Sequence, residues 1–514
     1  TSNGKRRIAF LDKIEANIHI IGVDSDLFFT AEENRETHKN LALTKENVTY
    51  SEINSVHGHD AFLMEYEQLQ KIIAPIFNKE YRTKKMKVLK FGGKSLANGK
   101  GIEHAIAIIL EKYQQGEKIT VVASARGNTT DDLEVILEKS AAKEGYKDAF
   151  ENFKRAQLTP GTTLNFSKEF SILETIFEGV SLLGDYSTKI KDEVLAQGAL
   201  CAAKLLANLL QIQGIEAVAK DARELLLTDE NFGNAQPIKT ISKENITGYF
   251  KNNIDKLHIV TGFIGVNSKG ETTTLGRNGS NYTAALLANY LDAEELQNYT
   301  HVSGIFTANP DLVPDAKKIE QLSFSEANEL ANFGATILHA KTIVPLLEKN
   351  INLRILNTFN SKDPGTLITA ASAEKGIKSI ATISNVSLLN FEGRGLLGKV
   401  GVDARIFRTL SDKNINISIV SQGSSERGIG LIIEENRASE AVLALEKEFE
   451  SDFYAQDVHR ISIIENVAVI SIIGQDLSEF HLPYNALIKN QIVPLLFNNT
   501  ITGKNVSLVV KKDQ

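Results

Sequence analysis

The chain has 514 residues, 42% of them hydrophobic and 24% charged, with a net charge of −7. At about 150 residues per domain that length holds three or four domains of ordinary globular composition. Charges of both signs are dispersed, which argues against nucleic acid or an anionic membrane as a partner, since both usually demand a basic patch.

In chain order, "ANIHIIGV" reads as a buried strand followed by the loop "DSDLFFT". "AEENRETHKNLAL" has acids in its first turn, as a helix start favours. "VTYSEI" is a second strand, followed by the loop "SVHGHDAFL". Loops after strand ends are where α/β proteins place their chemistry. "NKEYRTKKM" is a polar, basic linker. From about Met86, strand-like runs ("MKVLKF", "KITVVASA", "HIVTGFIGV", "INLRILN") alternate with helical ones, so a mostly parallel sheet between helices is expected. Beyond it, a βαββ pattern occurs twice, first around "GVDARIFRTLSDKN" and again around "LPYNALIKNQ", as in ferredoxin-like modules. The second copy reaches Gln514 without a closing helix, and the chain starts at Thr1 rather than Met, so a piece of a longer protein is expected. Cys201 is the single cysteine, so no intrachain disulfide can form and the cytoplasm is the expected compartment. No apolar run approaches the roughly 20 residues that cross a bilayer, and no signal peptide is recognised.

Three glycine- and hydroxyl-rich loops follow strands. In "KVLKFGGKSLANGKG" a strand delivers Lys90, and Gly92 and Gly93 let successive N–H groups face an anion. The same glycines also suit a plain strand-to-helix turn. In "VVASARGNTTDDL", Ser124 and Thr130 offer hydroxyls. In "TTTLGRNGSNYTAALLANYL", Gly276 and Gly279 permit close backbone approach, and Arg277 can fork onto a carboxylate or phosphate. Ser280 is placed to cap a helix starting near Tyr282, whose N-terminus favours negative charge. Asn281 stands at its start without a carboxylate.

These stretches, with "VSGIFTANPDLVPDAKKI", "SEANELANFGATILHAKTI" and "PGTLI", resemble the aspartokinases of the amino-acid kinase family, over about Met86 to Leu367. The paired modules resemble the ACT regulatory domains of aspartokinases, and "NISIVSQGSSERGIGL" is similar to that part of bifunctional aspartokinase–homoserine dehydrogenases. The resemblance implies an α/β fold, an amino-acid-kinase-like three-layer sandwich followed by two ferredoxin-like ACT modules. It implies transfer of the ATP γ-phosphoryl group to the side-chain carboxylate of L-aspartate with Mg2+, under feedback by an amino-acid effector, in a homo-oligomer joined through the ACT modules. Lys90, with Asn281, would be catalytic, Lys90 neutralising the phosphoryl group. Gly92, Gly93, Ser95, Gly279 and Ser280 would hold phosphate and nucleotide. Ser124, Thr130 and Arg277 would hold aspartate, and Gln422 and Ser424 would line the effector pocket. No metal-ligand set is implied.

The sequence departs from the family pattern at Lys94 (usually Thr), Asn281 (Asp) and Ala199, where a glutamate meets the substrate ammonium. On the nucleotide side it departs at His301, Asn309, Asp311 and Thr336. The acceptor carboxylate has an ordinary pKa near 3.9 and needs no general base, so Asn281 does not remove one. Two readings stay open, an active kinase and a degenerate regulatory or scaffolding domain.

The first 77 residues stand apart. "IIGVDSDLFFTAEENRE" and "HGHDAFLMEYEQL" resemble the C-terminal part of homoserine O-acetyltransferases, which implies a partial α/β-hydrolase segment. Asp26 would be the orienting acid and His59 the base of a triad, with His57 a neighbour and the serine upstream. A fused polypeptide is implied, with a homoserine dehydrogenase beyond Gln514. The expected domains are 1–77, a linker at 78–85, the kinase-like domain at 86–370, and ACT modules at 378–460 and 461–514.

Overall fold

The computed structural model describes residues 16–45, 47–77, 85–97, 99–158, 164–333, 339–371, 375–393, 400–422 and 428–513. Thr336 and Ser424 lie outside them. The chain divides into two units between Lys85 and Met86.

In the first unit β1 (Ile18–Val23) and β2 (Val48–Ile53) pair in parallel, from Ile18 opposite Val48 to Val23 opposite Ile53. Parallel neighbours need a crossover, here the helix Ala31–Leu41, whose N-cap Thr30 accepts a hydrogen bond from Glu33 N. Val23, Ile53 and Ala61 form a small core with Leu69 and Ile72 of the helix Tyr66–Phe77.

The second unit opens with β3 (Lys87–Phe91) and β4 (Ile119–Ala123). After a helical insertion come β5 (Ala217–Lys220), β6 (Leu227–Thr228), β7 (Leu257–Thr261), β8 (Ile264–Asn267) and β9 (Thr272–Thr274). β10 (Glu295–Thr300), β11 (Gln321–Ser323), β12 (Asn352–Asn357) and β13 (Thr366–Thr369) follow. Eight of these strands form one sheet in the order β11-β13-β12-β10-β3-β4-β7-β5. Every pair is parallel except β12 with β13. Period-two alternation puts Leu89 and Phe91 of β3 into one core, with the helix Lys100–Gln114, and Val88 into the other. Lys90 shares the face of Val88, which is covered by the helix Gly279–Tyr290. It is thus a cation on a buried strand face.

The helix Thr188–Ile212 is long and apolar enough to cross a membrane, which run-length in the sequence did not reveal. Here it is a core helix, and Ala196, Leu200, Ala203 and Leu206 pack against both faces' cores. Charged residues at its start, Lys189, Lys191, Asp192 and Glu193, interrupt the apolar run.

The remaining strands are β14 (Gly376–Glu392), β15 (Ile417–Gln422), β16 (Gly428–Glu434), β17 (Arg460–Gln475), β18 (Leu496–Asn499) and β19 (Asn505–Lys511). They form one sheet in the order β15-β16-β14-β17-β19-β18. The two expected ACT modules share strands. The C-terminal half of β14 pairs with β16, while its N-terminal half, from Gly376 to Ile383, pairs with the half of β17 that also pairs with β19. The segment 461–514 is therefore completed by strand residues 376–383, most of which lie within the expected 378–460 module. Both βαββ patterns are present, with helices Val402–Asp412 and His481–Lys489.

Candidate active site

β3, β4 and β7 end side by side, and β10 flanks β3 on its other edge, so the strand order reverses between β3 and β10. Open α/β sheets place ligands outside the C-terminal ends of strands at such a point. There a cavity of about 720 Å3 is lined by Lys90, Gly93, Ser124, Thr130, Arg277, Gly279, Ser280 and Asn281, among others. The Lys90 and Ser124 loops meet here at the ends of β3 and β4, and the Arg277 loop reaches them from β9, which belongs to a separate three-stranded sheet with β6 and β8.

The loops lock onto one another by backbone hydrogen bonds. Ser124 N donates to Phe91 O at 3.2 Å and Gly127 N to Gly93 O at 2.9 Å. A side chain at Gly93 would press its Cβ to 2.8 Å from Gly127 O, so only glycine lets the two turns meet. Gly92 N donates to Tyr299 O at 3.2 Å, tying the turn to β10. Gly92 and Ser95 are not among the cavity-lining residues. Ser95 is buried, donates to Tyr299 O at 3.2 Å and accepts from Thr358 Oγ1 at 2.7 Å, so its hydroxyl is occupied in holding strands together.

The Arg277 loop differs from its expected form. Asn278 adopts φ +60° and is the N-cap of the helix Gly279–Tyr290, with no side-chain capping bond. The left-handed turn, open to asparagine at small cost, starts the helix three residues before Tyr282. Ser280 therefore lies in the first turn and is not the cap. Its backbone is fixed from below: a Cβ added at Gly262 would meet Ser280 Cβ and Oγ at 2.6 Å and Cα at 2.9 Å. Gly262→Ala should push the helix start away and cost about 1–3 kcal/mol, as overpacking does, read from the denaturant midpoint. An unchanged midpoint would show that the contact is slack.

Lys90 is 8% exposed, and burial pushes its pKa down to about 8. It makes no hydrogen bond or ion pair among the described residues. An isolated buried cation is costly, and one facing a cavity is a site for an anion. The Oδ1 of Asn281 is likewise buried and without a donor, while its Nδ2 donates to Asn278 Oδ1 at 3.3 Å.

Sequence reasoning missed the groups that hold this cavity in shape. Asp192 is buried and accepts from Gly233 N at 2.8 Å, Thr274 N at 2.9 Å and Thr274 Oγ1 at 2.8 Å. Burial outweighs these donors and raises its pKa. Lys341 Nζ donates to Leu275 O at 3.1 Å, beside Gly276 and Arg277. No quoted motif includes Asp192, and the one that includes Lys341 does not show its role, because each acts on backbone that is remote in sequence.

His301, Asn309 and Asp311 line a second cavity of about 560 Å3, together with Ser379–Thr382 of β14. Ile380 N donates to Thr307 O at 2.8 Å and Ser379 Oγ to Phe306 O at 3.0 Å, so the loop is stitched to the regulatory sheet. Burial, then the nearby Lys94 ammonium, holds His301 below the ordinary histidine range. Gln422 ends the edge strand β15 and is exposed.

In the first unit Asp26 is buried, and its Oδ1 accepts from Phe28 N at 2.8 Å and Phe29 N at 3.1 Å. Its Oδ2 lies 2.9 Å from His59 Nδ1, and that hydrogen bond, more than any other contact, holds the carboxyl below its usual range. His57 is placed elsewhere, its N–H on Ser55 Oγ at 3.1 Å.

Comparison with known proteins adds the family. Residues 85–357 match the amino acid kinase family and 389–449 an ACT domain. The chain is 30% identical over 402 residues to lysine-sensitive aspartokinase 3 of Escherichia coli, covering 76% of this chain and 88% of that protein. It is 30% identical over 416 residues to a bifunctional aspartokinase/homoserine dehydrogenase of Haemophilus influenzae, covering 77% of this chain. It spans about half the length of the bifunctional relatives, 50% of that one and 49% of an Arabidopsis thaliana one. The crystal structure of E. coli aspartokinase III in complex with aspartate and ADP superposes with a TM-score of 0.71 at 26% identity, over 83% of this chain and 96% of that one. The chain belongs to the amino acid kinase family, among its aspartokinases, with an ACT region after the kinase fold.

Proposed function

We propose that the chain is an aspartokinase, transferring the γ-phosphoryl group of ATP to the side-chain carboxylate of L-aspartate under amino-acid feedback through its ACT region. One observation carries this: the unpartnered Lys90 opens onto the cavity that also gathers Ser124, Thr130, Arg277 and the helix start at Gly279. The acceptor is already ionised at neutral pH, so the chain's task is positioning and charge neutralisation. Arg277 takes the α-carboxylate, the hydroxyls of Ser124 and Thr130 orient the acceptor, and Lys90 holds the ammonium charge against the phosphoryl oxygens. The N–H groups of the first helix turn face the phosphates. The buried Asn281 Oδ1, which has no donor among the described residues, would be the oxygen available to hold a magnesium ion. Bound Mg·ATP supplies the phosphoryl group and shields its charge. The crystal-structure relative with aspartate and ADP supports this assignment.

Asp311 favours the second reading, a regulatory domain without transfer, because it adds negative charge to the wall of the second cavity. Hydroxylamine trapping of aspartyl phosphate decides between them. Lys90-dependent hydroxamate supports the kinase. Folded protein that gives none and binds no ATP supports the other reading.

For the first unit we propose an acyltransferase-like acid–base pair, Asp26 orienting His59, as in the C-terminal part of homoserine O-acetyltransferases. A strongly downfield His59 Nδ1–H proton signal that disappears in Asp26→Ala is expected. Its absence in the unmodified protein would remove the support.

A further inference from the structure

The charges on the wall of the larger cavity fall into two classes, those already neutralised by the protein and those left over. Among the described residues three cations line it, Lys90, Lys191 and Arg277, with three carboxylates, Asp131, Glu134 and Asp192. Lys191 is in contact with Glu134. Asp192 is saturated by three hydrogen-bond donors. That leaves Lys90, Arg277 and Asp131, none of which has a hydrogen bond or ion pair among the described residues. A ligand complementary to this remainder has two anionic ends and one cationic group. Asp131 immediately follows Thr130, in the first turn of the helix Thr129–Ala142. Ala199, where the family pattern has the ammonium-binding glutamate, is buried, apolar and not among the lining residues.

We infer that Asp131 receives the α-ammonium group of the acceptor, so that the site selects a dicarboxylate bearing one ammonium over the same dicarboxylate without it. This rests on the aspartokinase assignment and adds to it a residue that sets substrate choice. Neutralising Asp131 should weaken only ligands that carry the ammonium. A charge-assisted hydrogen bond of this kind corresponds to about 10–100-fold in affinity.

The test is calorimetric binding of L-aspartate and of succinate, each in the presence of ADP, to the full chain and to its variants. The unmodified chain should prefer L-aspartate. Asp131→Asn should raise the Kd for L-aspartate at least about 10-fold and leave succinate as tight or tighter. Asp131→Glu should recover part of the loss. Asp132→Asn removes the same charge from the same helix turn without facing the cavity, and should change neither Kd. Equal loss for both ligands in Asp131→Asn, or no loss for either, overturns the inference while leaving the kinase assignment intact. An unmodified chain that binds neither ligand overturns the kinase assignment, and this inference with it.

Discussion

Lys90→Ala should lower aspartyl phosphate formation by about a thousandfold or more, the range for losing a preorganised cation at a phosphoryl transition state. The ammonium stands on the buried face of β3, without an anion to neutralise it among the described residues. Burial holds its pKa near 8, against an ordinary 10.5. The charged form does the work, so kcat/KM should be flat below pH 8 and fall above it. In kcat the same limb should move to higher pH, because a bound phosphate stabilises the ammonium. The depressed pKa also predicts a stability effect of opposite sign. Below pH 8 the folded state holds a cation it solvates worse than the unfolded chain does. That costs about 3 kcal/mol at neutral pH and fades as pH rises towards 10.5. Lys90→Met, which keeps length and removes charge, should therefore be inactive yet melt at a higher temperature at pH 7. The difference should shrink at alkaline pH. Loss of both activity and stability in Lys90→Met would mean that the lysine has a structural anion.

Arg277→Ala should raise the KM for L-aspartate by about 100-fold, the scale of a lost bidentate carboxylate pair, with a much smaller change in kcat. The guanidinium is exposed in a loop between Gly276 and Asn278, so stability should not change. Its proposed partner, the α-carboxylate, is remote from the reacting oxygen. Such binding is equal in ground and transition states and appears in KM. Arg277→Lys should not rescue, because a point charge does not reproduce the planar fork. A raised KM for ATP with an unchanged KM for aspartate would reassign Arg277 to the nucleotide.

What the sequence showed follows from how local each feature is. Lys90, Ser124, Thr130, Arg277 and Asn281 could be picked out because each lies in the end of a strand or in the turn and first helical residues just after one. The loops after β3 and β4 then needed only a parallel sheet to converge, whereas the Arg277 loop follows β9 of a separate three-stranded sheet, a placement no local pattern shows. Ser280 was misplaced as a cap because one backbone angle, the positive φ of Asn278, moved the helix start. Ser95 looked like a phosphate ligand, but its hydroxyl bonds Thr358, which is 263 residues away. No local pattern can reveal such a partner. Asp192 and the role of Lys341 stayed hidden for the same reason. The repeated βαββ order was legible, whereas the sharing of β14 and β17 between the two modules was not, because a 17-residue strand does not show that only its C-terminal half also pairs with β16.

That sharing bears on how such a regulatory region can be inherited. Neither half is an independent cassette. Excising 461–514 would leave the leading half of β14 without its neighbour on β17, a bare edge of the kind proteins avoid. The same half carries Ser379 and Ile380, which are bonded to the loop at 306–307. A recombination point between the modules would therefore cut across a sheet that also anchors the catalytic domain. The pair should travel between genes as one block, together with the strand that leads into it, and melt as one block in the protein.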